Sequence, residues 1–198
     1  MMDIKREWGS ASARRTGADG LKTFLRKIAA SYPDRGAVAF VCIGTDRSAG
    51  DSYGPWVGSL LEERGWPHVT GTLARPLDAE RLAAGSVPLP AGAVVVAVDA
   101  CLGRPESVGK YIVSEGPIEP GRGIGLKLPP LGDYGIAGVV NARGAKPHWS
   151  IQSASLYRVV RMAVETADAI EAAWMGGTRS ARDGRELRLT IRNEPDGT

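Results

Sequence analysis

The sequence predicts an α/β fold of three layers, α/β/α, with helices on both faces of a mostly parallel central sheet. Three observations predict it. Two short runs, Ala37 to Ile43 and Ala93 to Val98, are apolar at every position, which marks strands covered on both faces. Strand-like and helix-like segments alternate through the first hundred residues, as right-handed βαβ crossovers require. The last long segment, Ser155 to Trp174, carries Leu156, Val159, Val160, Ala163, Val164, Ala167 and Ile170 on one stripe of helical period.

In chain order, residues 1–20 are polar and rich in Ser, Ala and Arg, and read as a poorly ordered arm. Leu21 to Ala29 has helical spacing and ends before Pro33. The strand Ala37–Ile43 follows, then a loop rich in Gly and Asp. A helix carrying Trp56, Val57, Leu60 and Leu61 runs up to Gly65, with Pro55 in its first turn, where the missing amide hydrogen costs little. Val69–Leu73 is a short strand, Asp78–Ala84 a short helix closed by Gly85, and Ala93–Val98 a central strand. Tyr111–Ser114 and Ile136–Asn141 are two further strands, separated by an irregular, Gly- and Pro-rich excursion from Gly116 to Asp133. A loop through Pro147, His148 and Trp149 leads to the long helix. From Gly176 the tail is basic; Leu187–Ile191 alternates enough to permit an edge strand.

The chain has 198 residues, enough for one well-buried domain and short of two. That domain is expected over residues 21–175. Hydrophobic residues make up 43% and charged residues 24%, ordinary values for a globular protein, and no apolar stretch approaches the roughly 20 residues of a membrane span. Met1 to Glu7 contains no apolar signal region, so the expected compartment is the cytoplasm. Cys42 and Cys101 then read as small buried hydrophobes rather than a disulfide. The net charge of +3 comes largely from the two ends, with no aromatic interleaving or recognisable module, so nucleic acid is not an expected partner. A homo-oligomer is allowed.

Two aspartates carry the functional signal. Asp51 follows the first strand within Gly44-Thr45-Asp46-Arg47-Ser48-Ala49-Gly50-Asp51-Ser52-Tyr53-Gly54, and Asp99 ends the strand Val94–Val98. In open α/β sheets, ligands bind beyond the carboxyl ends of the strands, so both acids are expected in one crevice, within one water-bridged hydrogen-bond span. Two carboxylates in a cleft split their pKa values, one accepting a proton and the other donating it, which is hydrolytic logic. Asp46 is the weaker third acid at the same mouth; it could instead pair with Arg47. Gly50 and Ser52 are candidate substrate-binding positions. The bland alternatives are a helix cap for Asp51 and a turn-organising role for Asp99. A carboxylate-held cation would recruit His68 or His148. Gly50-Asp51-Ser52-Tyr53-Gly54 also matches the nucleophile-elbow pattern, but Ser52 lies well beyond the strand end. No nucleotide phosphate loop is present, and no cofactor or metal is expected.

The block Cys42-Ile43-Gly44-Thr45-Asp46-Arg47-Ser48-Ala49-Gly50-Asp51-Ser52-Tyr53-Gly54-Pro55 resembles the signature of YyaC-type sporulation proteins, relatives of the spore germination protease. Gly71-Thr72-Leu73, Val98 to Gly103 and Ile136 to Asn141 are similar to that family's other blocks. The resemblance implies the three-layer fold shared with hydrogenase-maturation proteases. It places Asp51 and Asp99 at the germination protease's proposed aspartate pair. It further implies a sporulation-associated endopeptidase in the mother cell or forespore, acting on small acid-soluble spore proteins or another spore protein. The alternative is a non-catalytic binding or regulatory protein on the same scaffold.

Overall fold

The computed structural model describes residues 12–85, 87–121 and 128–175. Six strands form one sheet: β1 (Arg14–Thr16), β2 (Val38–Cys42), β3 (Val69–Thr70), β4 (Val94–Gly103), β5 (Tyr111–Glu115) and β6 (Tyr134–Ala142). Their order across the sheet is β1-β5-β6-β4-β2-β3. The pairings β6·β4, β4·β2 and β2·β3 are parallel, while β5 runs antiparallel to both β1 and β6. The mostly parallel sheet is therefore as the apolar runs predict. β2 is buried at all five positions because it has a strand on each side and a layer over each face.

The two covering layers differ in thickness. On one face pack the helices α1 (Ala18–Ser31), α2 (Tyr53–Glu63) and, after the short α3 (Ala79–Ala83) and α4 (Pro147–Gln152), the long α5 (Leu156–Met175). Phe24, Leu25, Val57, Leu61, Val159 and Ala163 meet the sheet residues Phe40, Val96, Val98 and Ile136 there. The same face holds an aromatic cluster: the Phe40 and Trp66 rings lie 4.9 Å apart and those of Trp66 and Trp174 5.3 Å apart, both edge to face. The Tyr53 hydroxyl, fully buried, shares a 2.8 Å hydrogen bond with Thr166 of α5. Among the described residues, the opposite face is covered by α3 and by the excursion after β5, where Ile118 and Leu131 form an antiparallel bridge. Its core consists of Val41, Ile43, Ala97 and Val139 against Leu77, Leu82 and Ile118.

The structure departs from the sequence reading at four places. Residues expected to belong to the polar arm instead form β1 and the first turn of α1, because Arg14–Thr16 find the free edge of β5. β4 continues past Val98 to Gly103, since β6 supplies partners for Asp99 through Gly103. The loop at Pro147, His148 and Trp149 is the helix α4, with Pro147 in its first turn, the position proline tolerates best. β3 is only Val69–Thr70. The Leu187–Ile191 segment lies outside the described residues.

Gly54 sets how closely α2 approaches β2. A methyl group there would collide with the Ile43 carbonyl oxygen and close on Ile43 backbone atoms, neither of which can swing aside. Gly54→Ala is therefore expected to cost about 1–3 kcal/mol, the usual range for overpacking, and to lower the thermal midpoint by about 2–4 °C for each kcal/mol lost. Gly17→Ala, whose added methyl meets nothing within 4 Å, should lose far less in the same melt.

Candidate active site

The carboxyl end of β2 is built to present an acid. Ile43 extends the pairing by one residue, its amide donating to the Val98 carbonyl at 2.7 Å. The chain then turns at Gly44, whose φ of 144° lies where side chains are rarely tolerated, and the Gly44 amide donates to the Leu77 carbonyl at 3.0 Å. The loop closes on itself through Thr45 N–H to the Asp51 carbonyl (3.2 Å) and Ser52 N–H to the Ser48 carbonyl (3.0 Å). It is tied to α4 through Gly50 N–H and the Ile151 carbonyl (3.1 Å). Asp51 is thus fixed just ahead of α2.

Asp99 arrives from the neighbouring strand. Cys42 pairs in register with Val98, so Asp99 is the first residue of β4 beyond the end of β2. Strand alternation places Val96, Val98 and Ala100 in the helix-covered core and Ala97 in the opposite one, so Asp99 points with Ala97 toward the thin layer. There α3 and the excursion leave a cleft of about 320 Å³. Asp51 and Asp99 both line it, together with Gly44, Thr45, Arg47, Asp78, Glu80 and Gly121.

The two acids differ electrically. Burial pushes Asp99 up to about 8, and the nearby Asp51 charge adds to the rise; hydrogen bonds from the Ala100 amide (2.7 Å) and the Gly121 amide oppose it. Burial also raises Asp51, but the Ser48 hydroxyl and the charge of His148 pull it back. No side chain caps α2, so the Asp51 carboxylate is not consumed as a helix cap. Of the two, Asp99 is the acid biased more strongly toward its protonated form.

The other expected positions fall differently. Asp46 is exposed and does not line the cleft, and Arg47 pairs with Asp78 (3.1 Å) rather than with Asp46. Gly50 and Ser52, expected on the substrate side, are used inside the fold. Gly50 packs against the Ile151 carbonyl, and the buried Ser52 hydroxyl donates to the Ala49 carbonyl at 2.7 Å. That also removes Ser52 from the cleft as a nucleophile. Cys42 is buried and Cys101 half-buried, and the two form no disulfide. His148, though exposed, is close enough to act on Asp51. Among the described residues, no three His, Cys, Asp or Glu side chains gather at metal-binding spacing. No helix among them is long and apolar enough to cross a membrane.

Arg47 and Asp78 are cleft residues that sequence reasoning missed. Asp78 reads as a helix start, and it does cap α3 by accepting from the Arg81 amide at 3.0 Å. Its second carboxylate oxygen, turned to Arg47, becomes visible only once β3 is seen to lie beside β2, bringing the segment after it to the same sheet edge.

Fold and site together define a class: an α/β protein whose adjacent parallel strands deliver two carboxylates to one cleft. Within that class the chain belongs to the family described as "Protein of unknown function (DUF1256)", which it matches over residues 13–169. It is similar to the "Uncharacterized protein YyaC" of Bacillus subtilis (strain 168), with 39% identity over 177 residues, 87% of this chain and 84% of that protein. The likeness to YyaC-type proteins, expected from the Cys42–Pro55 block, is thereby shown.

Proposed function

We propose that this protein is a sporulation-associated endopeptidase in which Asp51 and Asp99 activate water against a peptide bond. The observation that carries the reading is the shared cleft, with one acid pushed far above the carboxylate range and the rise of the other opposed by Ser48 and His148. Asp51 accepts a proton from a water molecule whose oxygen bonds to the peptide carbonyl carbon. Asp99 donates its proton to the leaving nitrogen as the C–N bond breaks. Passage of the proton from Asp51 to Asp99 restores the pair. Small acid-soluble spore proteins are the proposed substrates, by the resemblance to the germination protease, and the spore-forming cell's interior the proposed compartment. Incubating the purified chain with a panel of these proteins tests the reading. Discrete fragments are the expected result, and a panel left intact at pH 5–8 would count against it.

A second reading, a binding or regulatory protein on the same scaffold, is favoured by one observation: Trp149 and Tyr157 are 69% and 73% exposed on successive helices, and large exposed aromatics are typical of protein-binding surfaces. Pull-down from sporulating cells separates the two. An uncut, stoichiometric partner lost on Trp149→Ala supports binding, and fragments alone support cleavage.

A further inference from the structure

One buried polar side-chain atom among the described residues lacks a partner. Ser48 is 8% exposed, and its hydroxyl stops short of a hydrogen bond to any described neighbour, although it lies near enough to the Asp51 carboxylate to oppose the rise of that acid's pKa. Such a group costs free energy unless something nearby uses it. The backbone explains where it sits: Ser48 begins the turn that Ser52 N–H closes onto its carbonyl, and this turn carries Asp51. The turn is clamped from outside by the Gly50 amide on the Ile151 carbonyl, so Ser48 and Asp51 are held side by side.

We propose that Ser48 is a positioning residue for Asp51: its hydroxyl donates to the Asp51 carboxylate, holding it ionised and turned into the cleft. The proposal rests on the acid-pair reading above and names what decides which acid is the base. Two like acids in one cleft compete for one proton, and an asymmetric donor settles the competition. Asp99 has its own donors in the Ala100 and Gly121 amides, yet it is the more deeply buried of the two. Asp51 is half-buried and has the Ser48 hydroxyl near it. The other charges around Asp51 are Asp99 from β4, His148 from α4, Arg47 of its own loop, and Asp78 and Glu80 at α3. Arg47 is engaged by Asp78 at 3.1 Å, and His148 is solvent-exposed and therefore screened. Ser48, buried and with no hydrogen-bond partner among the described residues, is the donor left for Asp51.

The test reads the proton directly. Side-chain carboxyl carbon resonances of the full chain are followed against pH by NMR, with Asp51 assigned by its loss in Asp51→Asn. In Ser48→Ala, and in the near-isosteric Ser48→Cys, the Asp51 midpoint is expected to rise by about one unit, the scale of a lost hydrogen bond to a charged group. Ser48→Thr, which keeps the hydroxyl, should restore it. Where cleavage is measurable, the acid limb of kcat/KM moves by the same amount with KM nearly unchanged. An unmoved Asp51 midpoint in folded Ser48→Ala or Ser48→Cys overturns the proposal, even if those variants melt lower, because a packing role alone would leave the titration in place. The two claims separate cleanly: a shifted midpoint without any cleavage retains Ser48 and removes hydrolysis. Cleavage with an unshifted midpoint does the reverse.

Discussion

If the protein is the proposed peptidase, Asp51→Asn and Asp99→Asn are each expected to lower cleavage by at least about 10²-fold, measured as kcat on a spore protein at pH 7. That is the low end of what a placed acid or base contributes, about 10² to 10⁴. The physical reason differs between them. In Asp51→Asn the neutral amide has no charge with which to take a proton from water. In Asp99→Asn the amide hydrogens are too weakly acidic to protonate a leaving amine. Because the two acids act as one unit, the double variant should be only slightly slower than the worse single variant, not slower by the product of the two losses. Both variants keep the cleft shape, since asparagine matches aspartate in volume, so a circular dichroism spectrum equal to wild type accompanies the loss. Equal activity of wild type and both variants would remove the acid pair from the chemistry.

The second large effect is on stability, and it has the opposite sign. Asp99 is raised from 3.8 to about 8 in the folded chain, chiefly by burial. Well below pH 3.8 it is protonated both folded and unfolded and contributes no pH dependence. As pH rises from about 4 to about 8, the unfolded chain releases this proton while the folded chain retains it, so the fold loses stability across that window. Asparagine has no such proton to release. Asp99→Asn should therefore melt higher than wild type at pH 8, with the gap shrinking toward pH 4. Each unit of elevation is worth about 1.4 kcal/mol, and a chain of this size moves by about 2–4 °C per kcal/mol. Differential scanning calorimetry of the pair at pH 4, 6 and 8 would show the widening. A gap that stays constant with pH would mean Asp99 is not the buried acid described here. Lost activity with gained stability at one residue is the signature of a group kept for chemistry rather than for the fold.

Much of this is legible in the residues. The unbroken apolar runs around Phe40 and Val96 mark the two central strands, and the first of them opens into the loop that carries Asp51. For Asp99 the local signal is incomplete. Composition alone ends a strand there, but β4 runs on to Gly103, and what exposes the acid is the earlier end of its neighbour β2. Pairing partners far along the chain decide strand ends, and local composition does not record them. The same blindness conceals β1, a polar triplet made into a strand by an edge supplied almost a hundred residues later. Proximity in sequence draws Asp46, Gly50 and Ser52 toward the cleft. A bond to α4 turns Gly50 elsewhere and one within the loop does the same for Ser52, and such bonds leave no periodic trace.

The clamp between Gly50 and Ile151 has a consequence for timing. As the chain leaves the ribosome, β2 and Asp51 emerge early, Asp99 follows with β4, and the wall around Gly121 comes later still. The carbonyl that holds the acid loop is made only when α4 is synthesised. A chain interrupted before that point carries both acids but lacks the carbonyl that clamps the loop of Asp51. For a protein that cuts peptide bonds, as proposed, the order of synthesis acts as a safeguard. A copy interrupted before α4 would spare its neighbours, and competence would arrive only once α4 had been made.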